Sequence, residues 1–181
     1  VMDGEHVKNL VKRVRAGDAR AFRDLLDAHY PIIFRMAFRF CGHRSDAEDV
    51  TQMTCMKLAQ NIGTYDGRAA FTTWLYQVVL NTARDWQRSQ NRHMRGAVEI
   101  GGVEHTLPSS DNTQISLENK QSLDAVRALP EAEREAIWLV FAEGLSHKQA
   151  ADIMGCAEGT ISYRIHEARK KLSADGGRNH G

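Results

Sequence analysis

Six amide and guanidinium side chains share one side of a long helical stretch, FTTWLYQVVLNTARDWQRSQNRHMR from Phe71 to Arg95. At about 100° per residue, Gln77, Asn81, Arg84, Arg88, Arg92 and Arg95 fall within a narrow arc. Leu75, Val79, Thr82 and Trp86 fall on the opposite side. A helix that buries one stripe and turns amides and guanidiniums outward from the other suits a polyanion with readable edges. Nucleic acid is the expected ligand.

A second set lies in LSHKQAADIMGCAEGTISYRIHEARKKL, Leu145 to Leu172. Ala150 and Ala151 keep a first helix slim where a second must cross it, and Gly155 stands where the turn needs a left-handed residue. In the second helix Ile161, Ile165, Ala168 and Leu172 form the stripe expected to be buried. Ser162, Tyr163 and His166 face the other way, towards base edges, while Thr160, Arg164, Arg169 and Lys170 are placed to grip phosphates. A helix of about 15 residues is roughly 22 Å long and fits the major groove. This is the grammar of a helix-turn-helix.

No residues assemble into a catalytic or metal-binding pattern. His29, His43, His105 and His180 are far apart, and neither a nucleophile motif nor a phosphate-cradling Gly loop is present. Cys41, Cys55 and Cys156 are scattered and never in CxxC spacing, so reduced, partly buried thiols are expected, with neither a disulfide framework nor zinc. The expectation is a protein that is not an enzyme, with no metal and no cofactor.

The elements that must position these residues read as helices throughout. Helices are expected near 5–15, 18–40, 46–60, 71–95, 115–128, 131–142, 146–153 and 158–172. Asp18 marks one start. Ser45 with Glu48, and Ser146 with Gln149, read as capping boxes. Pro130 suits a first helical position, with Glu131 and Glu133 in the favourable first turn and Gly144 closing that helix. Strand signals are missing.

The 181 residues allow one or two domains. Residues 96–113, GAVEIGGVEHTLPSSDNT, carry no Lys or Arg and no periodicity, so they read as a flexible linker between units at 1–95 and 114–181. As a coil the linker spans roughly 23 Å, and stretched out roughly 60 Å. The net charge of +1 conceals a partition. Residues 1–95 hold 15 Lys and Arg against 10 Asp and Glu, whereas 96–113 hold none against 3, and 114–181 hold 9 against 10. The first unit is the electrostatic anchor. No apolar run is long enough to span a membrane and the amino terminus has no signal-peptide core, so a cytoplasmic protein without membrane insertion is expected.

Taken together, the two units resemble an extracytoplasmic-function (ECF) sigma factor of bacterial RNA polymerase, of the sigma-70 superfamily. DAEDVTQ, YDGRAAFTTWLY and NTARDW resemble region 2; LPEAEREAI, EGLSHKQAADIMG and EGTISYRIHEARKKL resemble region 4. The resemblance implies an all-α fold of two small helical domains and a sigma factor that directs promoter-specific initiation. Its partners would be core RNA polymerase (the β′ clamp helices and the β flap), promoter DNA and an anti-sigma factor.

By the same resemblance the helix from Asp46 to Gln60 would bind the clamp helices. Rotation agrees, since Asp49, Gln52, Met53, Met56 and Gln60 share one face opposite Ala47, Val50, Thr54 and Leu58. Two Met among polar residues on an outward face suit a protein partner. The loop Gly63–Ala70 and the following helix start would read the minus-ten element and capture a base turned out of the duplex. Tyr65, Arg68, Phe71, Thr72 and Trp74 would supply aromatic faces and donors to offset lost stacking. Phe71 points towards the apolar side, where core packing competes with that role. Asn81 would pair with a base edge while Arg84, Arg88 and Arg92 track the backbone. The Thr160–Lys171 helix would read the minus-thirty-five element. The chain differs from many relatives at Met53, Ser162 and Glu167.

Two other readings share some of these features. A LuxR-type regulator has a similar helix-turn-helix but leaves DAEDVTQ and FTTWLY unexplained. A sigma-like decoy that sequesters an anti-sigma protein has no need of Arg84, Arg88, Arg92 and Arg95.

Overall fold

A computed structural model describes the backbone of residues 4–99 and 117–176, and the side chains of 4–93 and 122–174. Every regular element among the described residues is helical. The chain divides into two compact units, Val1–Asp111 and Asn112–Gly181.

The first unit holds α1 (Gly4–Arg15), α2 (Ala19–Cys41), α3 (Arg44–Asn61), a short 3-10 turn (Ile62–Thr64) and α4 (Phe71–Glu99). The corner between α1 and α2 is built by Asp18, whose carboxylate accepts from the amides of Arg20 and Ala21 and from the Arg13 guanidinium at 2.7 Å. The Arg13 bond is the main reason the Asp18 carboxyl lies below its ordinary value. A carboxyl lowered on folding contributes stability above the ordinary carboxylate range, and loses it as the pH falls through the lowered value. Gly42 ends α2 in the left-handed region (φ 81), which only glycine adopts cheaply, and α3 folds back as the second arm of a hairpin.

Helix α3 starts earlier than the Ser45–Glu48 capping box would place it. His43 takes the N-cap position with extended backbone and no side-chain cap bond, and Glu48 pairs instead with Arg44 at 2.8 Å. Helix α4 crosses α2 and α3 and runs on to Glu99, four residues into the segment expected as linker. The rest of that linker, from residue 100, lies outside the described residues. The core beneath α4 includes Leu25, Ile33, Met36, Val50, Leu58, Leu75, Val79 and Leu80.

The second unit holds α5 (Leu117–Arg127), α6 (Glu131–Ile137), a π turn (Trp138–Ala142), α7 (His147–Met154) and α8 (Glu158–Gly176). Pro130 is the N-cap of α6, with extended backbone (ψ 145), one position ahead of the first helical residue where it was expected. The α-helix expected through 142 widens at Trp138, where the Glu143 amide bonds the Trp138 carbonyl at 3.0 Å, a five-residue span. Ser146 and Gln149 form a complete capping box on α7, with bonds of 3.1 and 2.9 Å. Gly155 (φ 64) makes the turn into α8. Ala150, Ala151, Ile161, Ile165 and Ala168 are buried where α7 and α8 cross.

Ser146 is exposed, so its contribution is the cap alone. Ser146→Ala is expected to lower the stability of the second unit by about 1 kcal/mol. Urea unfolding followed at Trp138 measures it.

Among the described residues no helix is long and apolar enough to cross a membrane.

Candidate polymerase and nucleic-acid interfaces

Helix α3 buries Ala47, Val50, Thr51, Thr54 and Leu58 and exposes Asp49, Gln52, Met53, Met56 and Gln60. The five residues expected to meet a protein partner therefore lie on the outward side. Met53 is 36% and Met56 58% exposed. An outward methionine leaves polarisable apolar surface in water, which a partner can cover at little rearrangement cost. The Lys57 ammonium reaches from α3 to Asp85 of α4 at 2.8 Å, bracing the two helices.

The loop after the 3-10 turn closes over a cleft of about 380 Å³ whose lining includes Lys8, His29, Tyr65, Arg68, Phe71 and Thr72. Tyr65 and Phe71, expected to offer stacking faces, are instead 5% and 6% exposed. Their rings meet edge to face at 5.5 Å, and the Tyr65 hydroxyl donates to the Ala69 carbonyl at 2.7 Å. Burial, reinforced by the charge of Asp66, pushes the Tyr65 phenol above its ordinary value. Tyr65 satisfies its hydroxyl within the loop and Phe71 turns its apolar ring inward from the first turn of α4, so both rings pack as walls of the cleft. Trp74 is half-buried and tilted against both at 5.6 Å, so it keeps an accessible surface. Thr72 is half-buried, and Arg68 is exposed beside Asp66 at 3.3 Å.

Three contributors to the cleft carry no sequence signal. Lys8 comes from α1, His29 from α2, and Arg15 donates to the carbonyls of Gly63 and Tyr65, tying the loop to α1. The His29 Nδ1 lies 2.8 Å from the Leu25 carbonyl, and its ring meets Phe71 edge-on at 5.0 Å.

Beyond the first turn of α4, which lines the cleft with Phe71 and Thr72, comes its basic stripe. Asn81, Arg88 and Arg92 are exposed, and Gln77 and Arg84 are half-buried. Arg84 donates to the Asn81 side-chain oxygen at 3.3 Å, and Arg88 lies 3.5 Å from Asp85. Leu75, Val79 and Thr82 are buried opposite, and Trp86 packs against Ala37, Ala47, Val50 and Ala83. The Arg95 side chain lies outside the described residues.

On α8, Ser162, Tyr163, His166, Arg169 and Lys170 are exposed, with Tyr163 at 64%. Thr160 and Arg164 are half-buried. The Arg164 guanidinium turns towards Cys156 Sγ at 3.6 Å and Met154 Sδ at 3.9 Å. Arg169 stacks over the exposed Phe141 ring at 4.9 Å, and Lys171 pairs with Glu133 at 2.5 Å. His147, at the start of α7, bonds Ser162. Cys41, Cys55 and Cys156 are free thiols at intermediate exposure, and burial pushes the Cys55 thiol up.

An outward amide-and-arginine stripe, and a helix-turn-helix with a polar outer face, are the features of a helical DNA-binding protein. Residues 25–93 match Sigma-70 region 2, and residues 121–172 match Sigma-70 region 4. The chain is 31% identical over 173 residues to the ECF RNA polymerase sigma-E factor of Haemophilus influenzae, covering 90% of this chain and 91% of that one. It is 34% identical over 154 residues to the ECF RNA polymerase sigma factor EcfG of Rhodopseudomonas palustris, covering 85% and 84%. The solved structure of the sigma factor RpoE in complex with the anti-sigma factor NepR, from Bartonella quintana, superposes with a TM-score of 0.68 at 26% identity, over 86% of this chain and 96% of that one. The chain belongs to the ECF family of RNA polymerase sigma factors. The region 2 match covers the half that a LuxR-type reading left unexplained.

Proposed function

We propose that this chain binds core RNA polymerase in the cytoplasm and directs promoter-specific initiation. Residues 1–95 would dock on the β′ clamp helices through Asp49, Gln52, Met53, Met56 and Gln60, and open DNA at the minus-ten element. Residues 114–181 would meet the β flap and read the minus-thirty-five element through α8. Bond making in RNA synthesis belongs to the polymerase, and this subunit supplies promoter choice and strand opening.

The observation that carries the reading is the exposed amide-and-arginine stripe of α4, with half-buried Trp74 in the same rotational phase as Asn81. A base lifted out of a duplex loses a few kilocalories per mole of stacking and pairing. The accessible part of Trp74, with Thr72 and Arg68 from the edge of the cleft, can restore part of that, and Asn81 would meet a neighbouring base edge. Arg88 and Arg92 can then follow the phosphates.

Run-off transcription with purified core polymerase, followed by mapping of start sites, tests the assignment. Asn81→Ala is expected to impair the upstream edge of the melted region, read by permanganate footprinting. His166→Ala is expected to alter dependence on the distal element alone. Normal initiation by both variants contradicts these placements.

An anti-sigma partner is also proposed, supported by outward Met53 and Met56 and by the RpoE relative solved with its own anti-sigma factor. Co-purification from the native host tests it, and recovery of no inhibitor counts against it.

A further inference from the structure

The first helix of the helix-turn-helix reaches across to the second on their solvent side. The ring of His147, the first residue of α7, places Nδ1 3.0 Å from Ser162 Oγ of α8. Ser162 is exposed, in the same arc as Tyr163 and His166.

We propose that His147 is a positioning residue for Ser162, and that the two read one base pair of the upstream promoter element as a unit. The proposal rests on the assignment of α8 to that element. A serine hydroxyl on a helix is free to turn back onto the carbonyl four residues earlier, here that of Glu158, where it reads nothing. The bond to His147 holds it outward instead.

The pair also couples its hydrogen-bonding roles, so that one group donates where the other accepts. A neutral imidazole carries one donor and one acceptor nitrogen. When Nδ1 accepts from the Ser162 hydroxyl, the Ser162 oxygen faces outward as an acceptor and Nε2–H as a donor. When Nδ1–H donates to Oγ, the hydroxyl donates outward and Nε2 accepts. Each tautomer presents one donor and one acceptor, and base edges in the major groove differ in that pattern. Ser162 alone, with a free rotor, has no fixed identity. Three other polar groups of α8 are committed differently: Arg164 to the turn sulfurs, Arg169 to the Phe141 ring and Lys171 to Glu133.

The test uses holoenzyme assembled from core polymerase and the full chain, transcribing a promoter library randomised across the upstream element. His147→Ala and Ser162→Ala are each expected to flatten preference at the same base pair by roughly fivefold, the size of one hydrogen bond. The double variant is expected to be no worse than either single. His147→Asn, whose amide reaches the position of Nδ1, is expected to restore most of the preference. Lys170→Ala should lower output across all sequences without changing preference. Effects at different base pairs, effects that multiply in the double variant, or a His147→Ala loss uniform over the library would overturn the proposal. If Lys170→Ala, His166→Ala and both singles all leave use of the upstream element unchanged, the assignment of α8 to DNA fails, and the proposal falls with it.

Discussion

Replacing Arg84, Arg88 and Arg92 together by alanine is expected to cut open-complex formation about a hundredfold near 0.1 M salt. Each cation that neutralises a phosphate displaces condensed counterions and contributes roughly 0.7 to 0.9 to the slope of log affinity against log salt. Three contacts therefore make that slope shallower by about 2 to 3. Arg88 and Arg92 are exposed and Arg84 is half-buried, so none of them fills the core and the thermal unfolding midpoint should hold. The Arg88–Asp85 pair is exposed on both sides and contributes little to the fold. Holoenzyme binding to a labelled promoter fragment across a salt series decides the matter. An unchanged slope would reduce the stripe to a solvated face.

Met56→Asp is expected to weaken binding to core polymerase by about thirtyfold or more. The side chain is 58% exposed, so the free protein tolerates a carboxylate there. In a complex that covers this face, the carboxylate would be stripped of water without a built counter-charge, and central interface positions commonly lose 2 kcal/mol or more on substitution. Titration of fluorescently labelled chain with core enzyme gives the affinity, and a circular-dichroism melt confirms the fold. Retained affinity would place the docking face elsewhere. Because α4 is untouched, the two experiments separate polymerase binding from strand opening.

Much of the helical framework was legible because its signals are local. Asp18 caps α2, Ser146 and Gln149 cap α7, and Gly155 turns the chain into α8, each a bond or dihedral within a few residues. Buried and exposed stripes followed from rotation alone: Val50, Thr54 and Leu58 inward against Met53 and Met56 outward, and Ile161 and Ile165 inward against Ser162 and His166 outward. Rotation could not place Tyr65, because a loop has no period to set its side. Phe71 did follow its helix phase into the core. The Ser45 box misled because His43 is extended enough to start the helix ahead of it. The cleft was hidden for a different reason. Lys8 and His29 reach it through tertiary packing, and the π turn at Trp138 answers to the core around it.

The tether from Arg15 to the carbonyls of Gly63 and Tyr65 has an evolutionary consequence. The loop that frames the cleft is anchored by a residue of a helix that supplies none of the stripe of α4. Drift at that anchor would thus be expected to alter how the loop is held while leaving every residue of the α4 stripe unchanged.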